Sequence, residues 1–152
     1  MITHYSLAQK TLSLMKWAKE KALIINEMGN STKKIPVLCY SGMSGIAGAT
    51  AISIYLQMED LTKEIGMIYI RKPKEDSHGV LAERNIKIDS LNNLNHFLVF
   101  VDDFVSGGST LDRVAKELKK HTATKLEYIC LQKPYSGGDF NNTIELMELK
   151  AI

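Results

Sequence analysis

Between residues 35 and 58 the chain carries no charged side chain, and no other feature limits its fold as strongly. A run of that length could cross a bilayer as a helix. Its content argues otherwise: Ser41, Gly42, Ser44, Gly45, Gly48, Thr50, Ser53 and Gln57 make much of it small or polar. No asymmetry of lysine and arginine flanks it, so it does not have the look of a membrane span. The first apolar stretch of the chain is periodic and broken by Lys10, Lys16 and Lys19, unlike the apolar block of a signal peptide. The uncharged run is therefore expected inside a water-soluble domain.

The 152 residues, 45% hydrophobic and 24% charged, suit a single globular domain spanning 1–152 and exclude disorder or a fibrous repeat. Lys and Arg number 19 against 17 Asp and Glu, a net charge of +2. Such a balance gives no global drive toward nucleic acid or an anionic membrane, and neither is expected as a partner. Lys116, Lys119 and Lys120 cluster near a helix end, where they complement the helix dipole. Cys39 and Cys130 each sit in an apolar run, which reads as two buried free thiols in a reducing, cytoplasmic setting. They are too far apart, and too poor in neighbouring ligands, to hold zinc.

Periodicity places the elements. Residues 5–28 have helical spacing, with Ser6 as cap and Gly29-Asn30 as the end. Residues 35–40 (IPVLCY), 65–70 (IGMIYI), 97–101 (FLVFV) and 126–131 are short apolar runs and read as buried strands. Helices are expected over 44–58 and 111–121. Residues 71–89 are polar and aperiodic, a long loop. The tail contains a Gly-Gly turn and an apolar segment, 144–149, of open type. Apolar strands alternating with helices imply an α/β fold, an open, mainly parallel sheet flanked by helices. Ligands of such sheets bind beyond the carboxyl ends of the strands.

Beyond the third strand stands Asp102-Asp103-Phe104-Val105-Ser106-Gly107-Gly108-Ser109-Thr110, followed at once by a helix. Gly107 and Gly108 allow a tight turn with exposed amides. Ser106, Ser109 and Thr110 add hydroxyls, and the helix start adds partial positive charge: a phosphate cradle that needs no lysine. Two carboxylates beside it suit sugar hydroxyls, a Mg²⁺ ion or a developing positive charge. Neither a Walker loop nor G-x-G-x-x-G is present.

The stretch VFVDDFVSGGST resembles the signature of type I phosphoribosyltransferases. The resemblance implies that Ser106, Gly107, Gly108, Ser109 and Thr110 hold the 5′-phosphate of phosphoribosyl pyrophosphate (PRPP). It implies that Asp102 and Asp103 hold the ribose hydroxyls, helped by Mg²⁺ bound to them through water. Ser41-Gly42-Met43-Ser44-Gly45, after the first strand, looks like the family's pyrophosphate loop. Many members carry Arg or Lys where Ser44 stands here, so backbone amides are expected to do more of the binding. Arg71, Lys72, Lys74 and His78, after the second strand, resemble the mobile basic loop of orotate phosphoribosyltransferases. Arginine there can pair bidentately with a diphosphate. The spacing before His78-Gly79 is off by one residue, which weakens the transfer to Lys74 and His78.

The resemblance spans about 35–131. It implies a core there and a small base-selecting hood from 1–34 and 132–152, in which Tyr135 could stack on a base. Hypoxanthine–guanine enzymes usually carry Asp where Ser106 stands, which argues modestly against that subclass. The implied activity is transfer of the 5-phosphoribosyl group between PRPP and a purine- or pyrimidine-type base, with pyrophosphate and Mg²⁺, by a homodimer. In the alternative, the same fold senses PRPP or a nucleotide without efficient turnover.

Overall fold

Every apolar run finds another to pair with. The computed structural model describes residues 4–72, 74, 82–84, 95–104, 109–120, 126–132 and 147–148. In chain order these form α1 (His4–Thr32), β1 (Ile35–Tyr40), α2 (Gly42–Glu59), β2 (Gly66–Ile70), β3 (Ala82–Arg84), β4 (His96–Phe104), α3 (Ser109–Lys119), β5 (Leu126–Gln132) and β6 (Met147–Glu148). The sheet runs β3-β2-β1-β4-β5-β6. Strands β2, β1, β4 and β5 are mutually parallel, while β3 and β6 pair antiparallel at the two edges. The α/β class and the mainly parallel sheet expected from the apolar runs are both present.

The strands are apolar on both faces because helices cover both. Val37, Cys39, Ile68, Ile70, Leu98 and Phe100 pack with Leu111, Val114, Ala115 and Leu118 of α3. The alternate residues Leu38, Val99 and Val101 pack with Ala49, Ile52 and Leu56 of α2 and with Trp17, Ala18, Ala22 and Ile25 of α1. Burying each large aliphatic side chain contributes about 1.5–3 kcal/mol, so the two layers together drive the fold. Positions 17–25, expected in the hood, thus lie in the α1–α2 layer on the sheet. Among the described residues no helix is long and apolar enough to cross a membrane.

Several boundaries differ from the sequence expectation, for local reasons. Helix α1 runs through Gly29 and Asn30 to Thr32. The chain then turns at Lys33, whose φ of 54° is left-handed, and the Lys34 amide donates back to the Gly29 carbonyl at 3.2 Å. This closes the helix by a Schellman-type bond with lysine in the usual glycine place. Gly29 serves packing instead: a Cβ there would lie 3.2 Å from the Lys34 carbonyl. Helix α2 ends at an Asx turn in which Thr62 donates its amide (2.9 Å) and its hydroxyl (2.7 Å) to Asp60. The stretch 71–89, expected as loop throughout, contains β3, and the tail contains β6. Two- and three-residue edge strands carry too little periodicity to be read from sequence.

Candidate active site

The connection leaving β1 goes by α2 to β2 on one side, and the one leaving β4 goes by α3 to β5 on the other. A crevice therefore opens between the carboxyl ends of β1 and β4, the switch point where α/β sheets bind ligands. Register fills it. Tyr40 is level with Val101 on one side and with Tyr69 on the other. Just past Tyr40 the chain passes Ser41 and turns at Gly42 into α2, while β2 ends at Ile70 with Arg71 following it and β4 continues through Asp102 and Asp103. Adjacent strands lie about 4.8 Å apart, so three motifs separated in sequence become neighbours.

Ser41 is buried, at 4% exposure. It stands at the N-cap of α2 with extended backbone, yet its side chain makes no cap bond. Its Oγ instead accepts a 2.7 Å hydrogen bond from Nη2 of Arg113 on α3. The same guanidinium donates through Nη1 to the carbonyl of Arg71. Gly42 has φ of +75°, a conformation that favours glycine. A Cβ on Gly42 would lie 3.3 Å from Cε and 3.4 Å from Nζ of Lys72, so the Lys72 ammonium lies over this turn. The Arg71 guanidinium sits over the Tyr69 ring at 6.0 Å, and Tyr69 pairs with Tyr40 at 5.7 Å. Cation–π contact and ring packing hold Arg71 at the rim. Burial pushes the Tyr40 hydroxyl pKa up, reinforced by neighbouring Cys39.

The stretch expected as a pyrophosphate loop is shorter than it looked, because α2 begins at Gly42 itself. Gly45 stands in the first turns of α2, where a Cβ would lie 3.1 Å from both Tyr40 Cβ and the Val101 carbonyl. Its lack of a side chain lets the helix start close against the sheet. The Met43 side chain is exposed, so only its backbone faces the turn. The Ser44 side chain lies outside the described part.

Asp102 is partly buried near the end of β4, and Asp103 follows it in the strand, its side chain outside the described part. Ser109 and Thr110 form the first turn of α3. Lys74 is exposed. Ser106, Gly107, Gly108, His78 and Tyr135 lie outside the described residues. Among the described residues no group of three or more His, Cys, Asp or Glu could hold a metal by itself. A carboxylate such as Asp102 at a strand end fits Mg²⁺ in another way: that ion takes one or two carboxylates and completes its shell with water and phosphate oxygens. Arg113 was not legible in sequence as a site residue. An arginine one turn inside a helix is commonplace, and its partner Ser41 is 72 positions away.

No protein-family model matches the sequence, and no curated protein matches it. Solved structures do. The hypoxanthine phosphoribosyltransferase of Trypanosoma cruzi superposes with a TM-score of 0.60 at 16% identity, over 83% of this chain and 74% of that one. The same enzyme in complex with its product IMP gives a TM-score of 0.57 at 15% identity, over 83% and 73%. A hypoxanthine-guanine-xanthine phosphoribosyltransferase gives 0.57 at 16% identity, over 88% and 70%. At these identities the likeness defines the fold: the chain has the α/β fold of the type I phosphoribosyltransferases.

Proposed function

We propose that this chain is a PRPP-dependent phosphoribosyltransferase, exchanging pyrophosphate at C1 of the ribose for a nitrogenous base. One observation carries the reading. At the β1/β4 switch point a carboxylate (Asp102), a helix-capping turn (Ser41-Gly42), a cationic strand end (Arg71, Lys72) and a hydroxyl-bearing helix start (Ser109, Thr110) converge. A sugar phosphate with a diphosphate leaving group needs each of these. The likeness to hypoxanthine enzymes supports the same class.

In this reading the amides of Ser41 to Gly45 and the side chains of Arg71, Lys72, Lys74 and His78 take the diphosphate. Residues Ser106 to Thr110 take the 5′-phosphate, and Asp102 and Asp103 hold the ribose hydroxyls. The transition state is oxocarbenium-like, so orientation and electrostatics accomplish more than a nucleophile would. The carboxylates of Asp102 and Asp103 face the positive charge growing on the ribose, while Arg71 and Lys72 offset the negative charge growing on the leaving group. Closure of the basic segment over the crevice would exclude water, which otherwise hydrolyses the donor. Mg²⁺ held at Asp102 and Asp103, when bound, would neutralise part of the diphosphate charge.

The base belongs to a hood to which the C-terminal segment 132–152 contributes, with Tyr135 as a stacking candidate. The setting is cytoplasmic, supported by the free Cys39 thiol, and the assembly a homodimer, supported by the resemblance. The dimer is further supported by the exposed Met43, Ile54 and Met58 side chains of α2. The test is pyrophosphate release from PRPP and Mg²⁺ across a panel of bases, with hypoxanthine and orotate first. Asp102→Asn combined with Asp103→Asn is expected to lower turnover by at least about a hundredfold with the melting temperature nearly unchanged. Full turnover in that variant would overturn the ribose assignment, and no base-dependent release in the parent chain would overturn the enzyme.

A further inference from the structure

Arg71, Lys72 and Arg113 are not equivalent cations. Arg71 and Lys72 come from the strand end that sequence already marked. Arg113 comes from α3, on the opposite side of the crevice, and touches both other parts of the diphosphate side: the Ser41 hydroxyl and the Arg71 carbonyl. Arg113 sits one turn inside α3, where the helix dipole has little hold on it, so its pairing with Ser41 and Arg71 needs an account of its own.

Hydrogen-bond polarity supplies the reason. A guanidinium only donates, so at this contact Ser41 Oγ must accept. A hydroxyl has one hydrogen, and that hydrogen is then left to donate elsewhere. Ser41 would otherwise cap α2, accepting from an amide of the first turn. It makes no such bond, so those amides are not taken by the cap. One arginine thus turns a capping serine into a donor and leaves the first-turn amides of α2 to a ligand. It also fixes the spacing between the β1 turn and the strand end that carries Arg71 and Lys72. Two of its five donors accomplish both tasks.

We propose that Arg113 is a positioning residue for the diphosphate subsite, acting through Ser41 and the Arg71 backbone to set donor polarity and to hold the two halves of the subsite in register. This rests on the phosphoribosyltransferase reading. It accounts for a site that works without the cation many relatives of the motif carry at the Ser44 position: the fixed positive charge is supplied across the crevice, from α3.

The experiment measures binding of inorganic pyrophosphate with Mg²⁺ by calorimetry, together with the KM for PRPP and for the base. It uses the full chain and the variants Arg113→Met, Arg113→Lys, Ser41→Ala and the Arg113→Met/Ser41→Ala double. Arg113→Met is expected to weaken pyrophosphate binding and raise the KM for PRPP by about tenfold or more, the size of a lost charged hydrogen bond, while the KM for the base stays within about twofold. Arg113→Lys should recover only part, because an ammonium lacks the fork that spans both acceptors. In the Ser41→Ala background the effect of Arg113→Met should shrink to about threefold or less, since the two residues act in series. If Arg113→Met lowers the melting temperature but leaves pyrophosphate binding within about twofold, Arg113 is a packing residue and the proposal fails alone. An undiminished effect in the Ser41→Ala background also overturns it, because Arg113 would then act by itself. A parent chain that binds neither pyrophosphate nor PRPP overturns the phosphoribosyltransferase reading, and this proposal with it.

Discussion

Lys21 illustrates how a single side chain reports its surroundings. It lies on α1 at 2% exposure, beside the alanines and Trp17 that pack on the sheet. Desolvation lowers its pKa below the ordinary lysine value, and the negative charge of Glu20 opposes that only partly. The sign of the consequence follows. Between the depressed folded value and the ordinary unfolded one, the unfolded chain binds more protons, so stability rises with pH across that interval. Lys21→Met is expected to flatten this alkaline rise in urea-unfolding profiles, whereas an unchanged slope would place its origin elsewhere. Cys39 obeys the same physics with the opposite charge: full burial pushes its thiol far up, so it is an inert core residue, as its apolar context suggested. Only one of the two was legible in sequence. The apolar company of Cys39 was visible, but the burial of Lys21 was not, because a lysine on a helix ordinarily reaches solvent.

At the scale of elements, α2 shows why glycines in an uncharged run need not all serve a ligand. Only Gly42 has the left-handed φ that a turn demands. Gly48 lies inside the helix, where a Cβ would come within 3.0 Å of Val101 Cγ1 and 3.3 Å of the Trp17 ring. Alanine there would gain about 1 kcal/mol of helix propensity. Overpacking between a β-branched side chain and an indole costs about 1–3 kcal/mol. The second effect wins: Gly48→Ala should lower stability by about 1 kcal/mol and the melting temperature by about 3 °C. Adding Val101→Ala should reduce the Gly48→Ala penalty, measured against Val101→Ala alone, and an equal penalty in both backgrounds would refute the clash. The glycines were visible in sequence, but their division into turn and contact was not. It depends on α1 lying across α2, which no local pattern encodes.

For the whole molecule, α2 is uncharged until Glu59 and carries apolar residues on more than one side. Its inner side, with Gly45, Ala49, Ile52 and Leu56, meets the sheet and α1. Its outer side leaves Met43, Ile54 and Met58 exposed, and Leu61 just past its end is 87% exposed. Exposed apolar side chains gathered along one helix, interspersed with Thr50 and Gln57, suit an association face. A second copy of the chain is the occupant that the dimer of the proposed function requires. Ile54→Glu with Met58→Glu is expected to convert a dimer to a monomer in sedimentation while leaving the far-ultraviolet circular dichroism unchanged. A parent chain that sediments as a monomer would remove the dimer, and a double variant that remains dimeric would move the interface off this face.

The sequence by itself determined the class of fold and the places to look. Apolar strand runs are unmistakable when both faces are buried, and the residues that follow them must lie at one edge of the sheet. That logic directed attention to the residues after each strand, Asp102, Ser41, Gly42, Arg71 and Lys72 among them. Tertiary structure alone decided how those parts connect. It revealed α1 as a covering layer on the sheet, β3 and β6 as edge strands, and Arg113 as the link between the Ser41 hydroxyl and the Arg71 carbonyl. The physical reason is range. Periodicity and turn chemistry act over a few residues, whereas a hydrogen bond between positions 72 apart exists only once the sheet has brought its strand ends together.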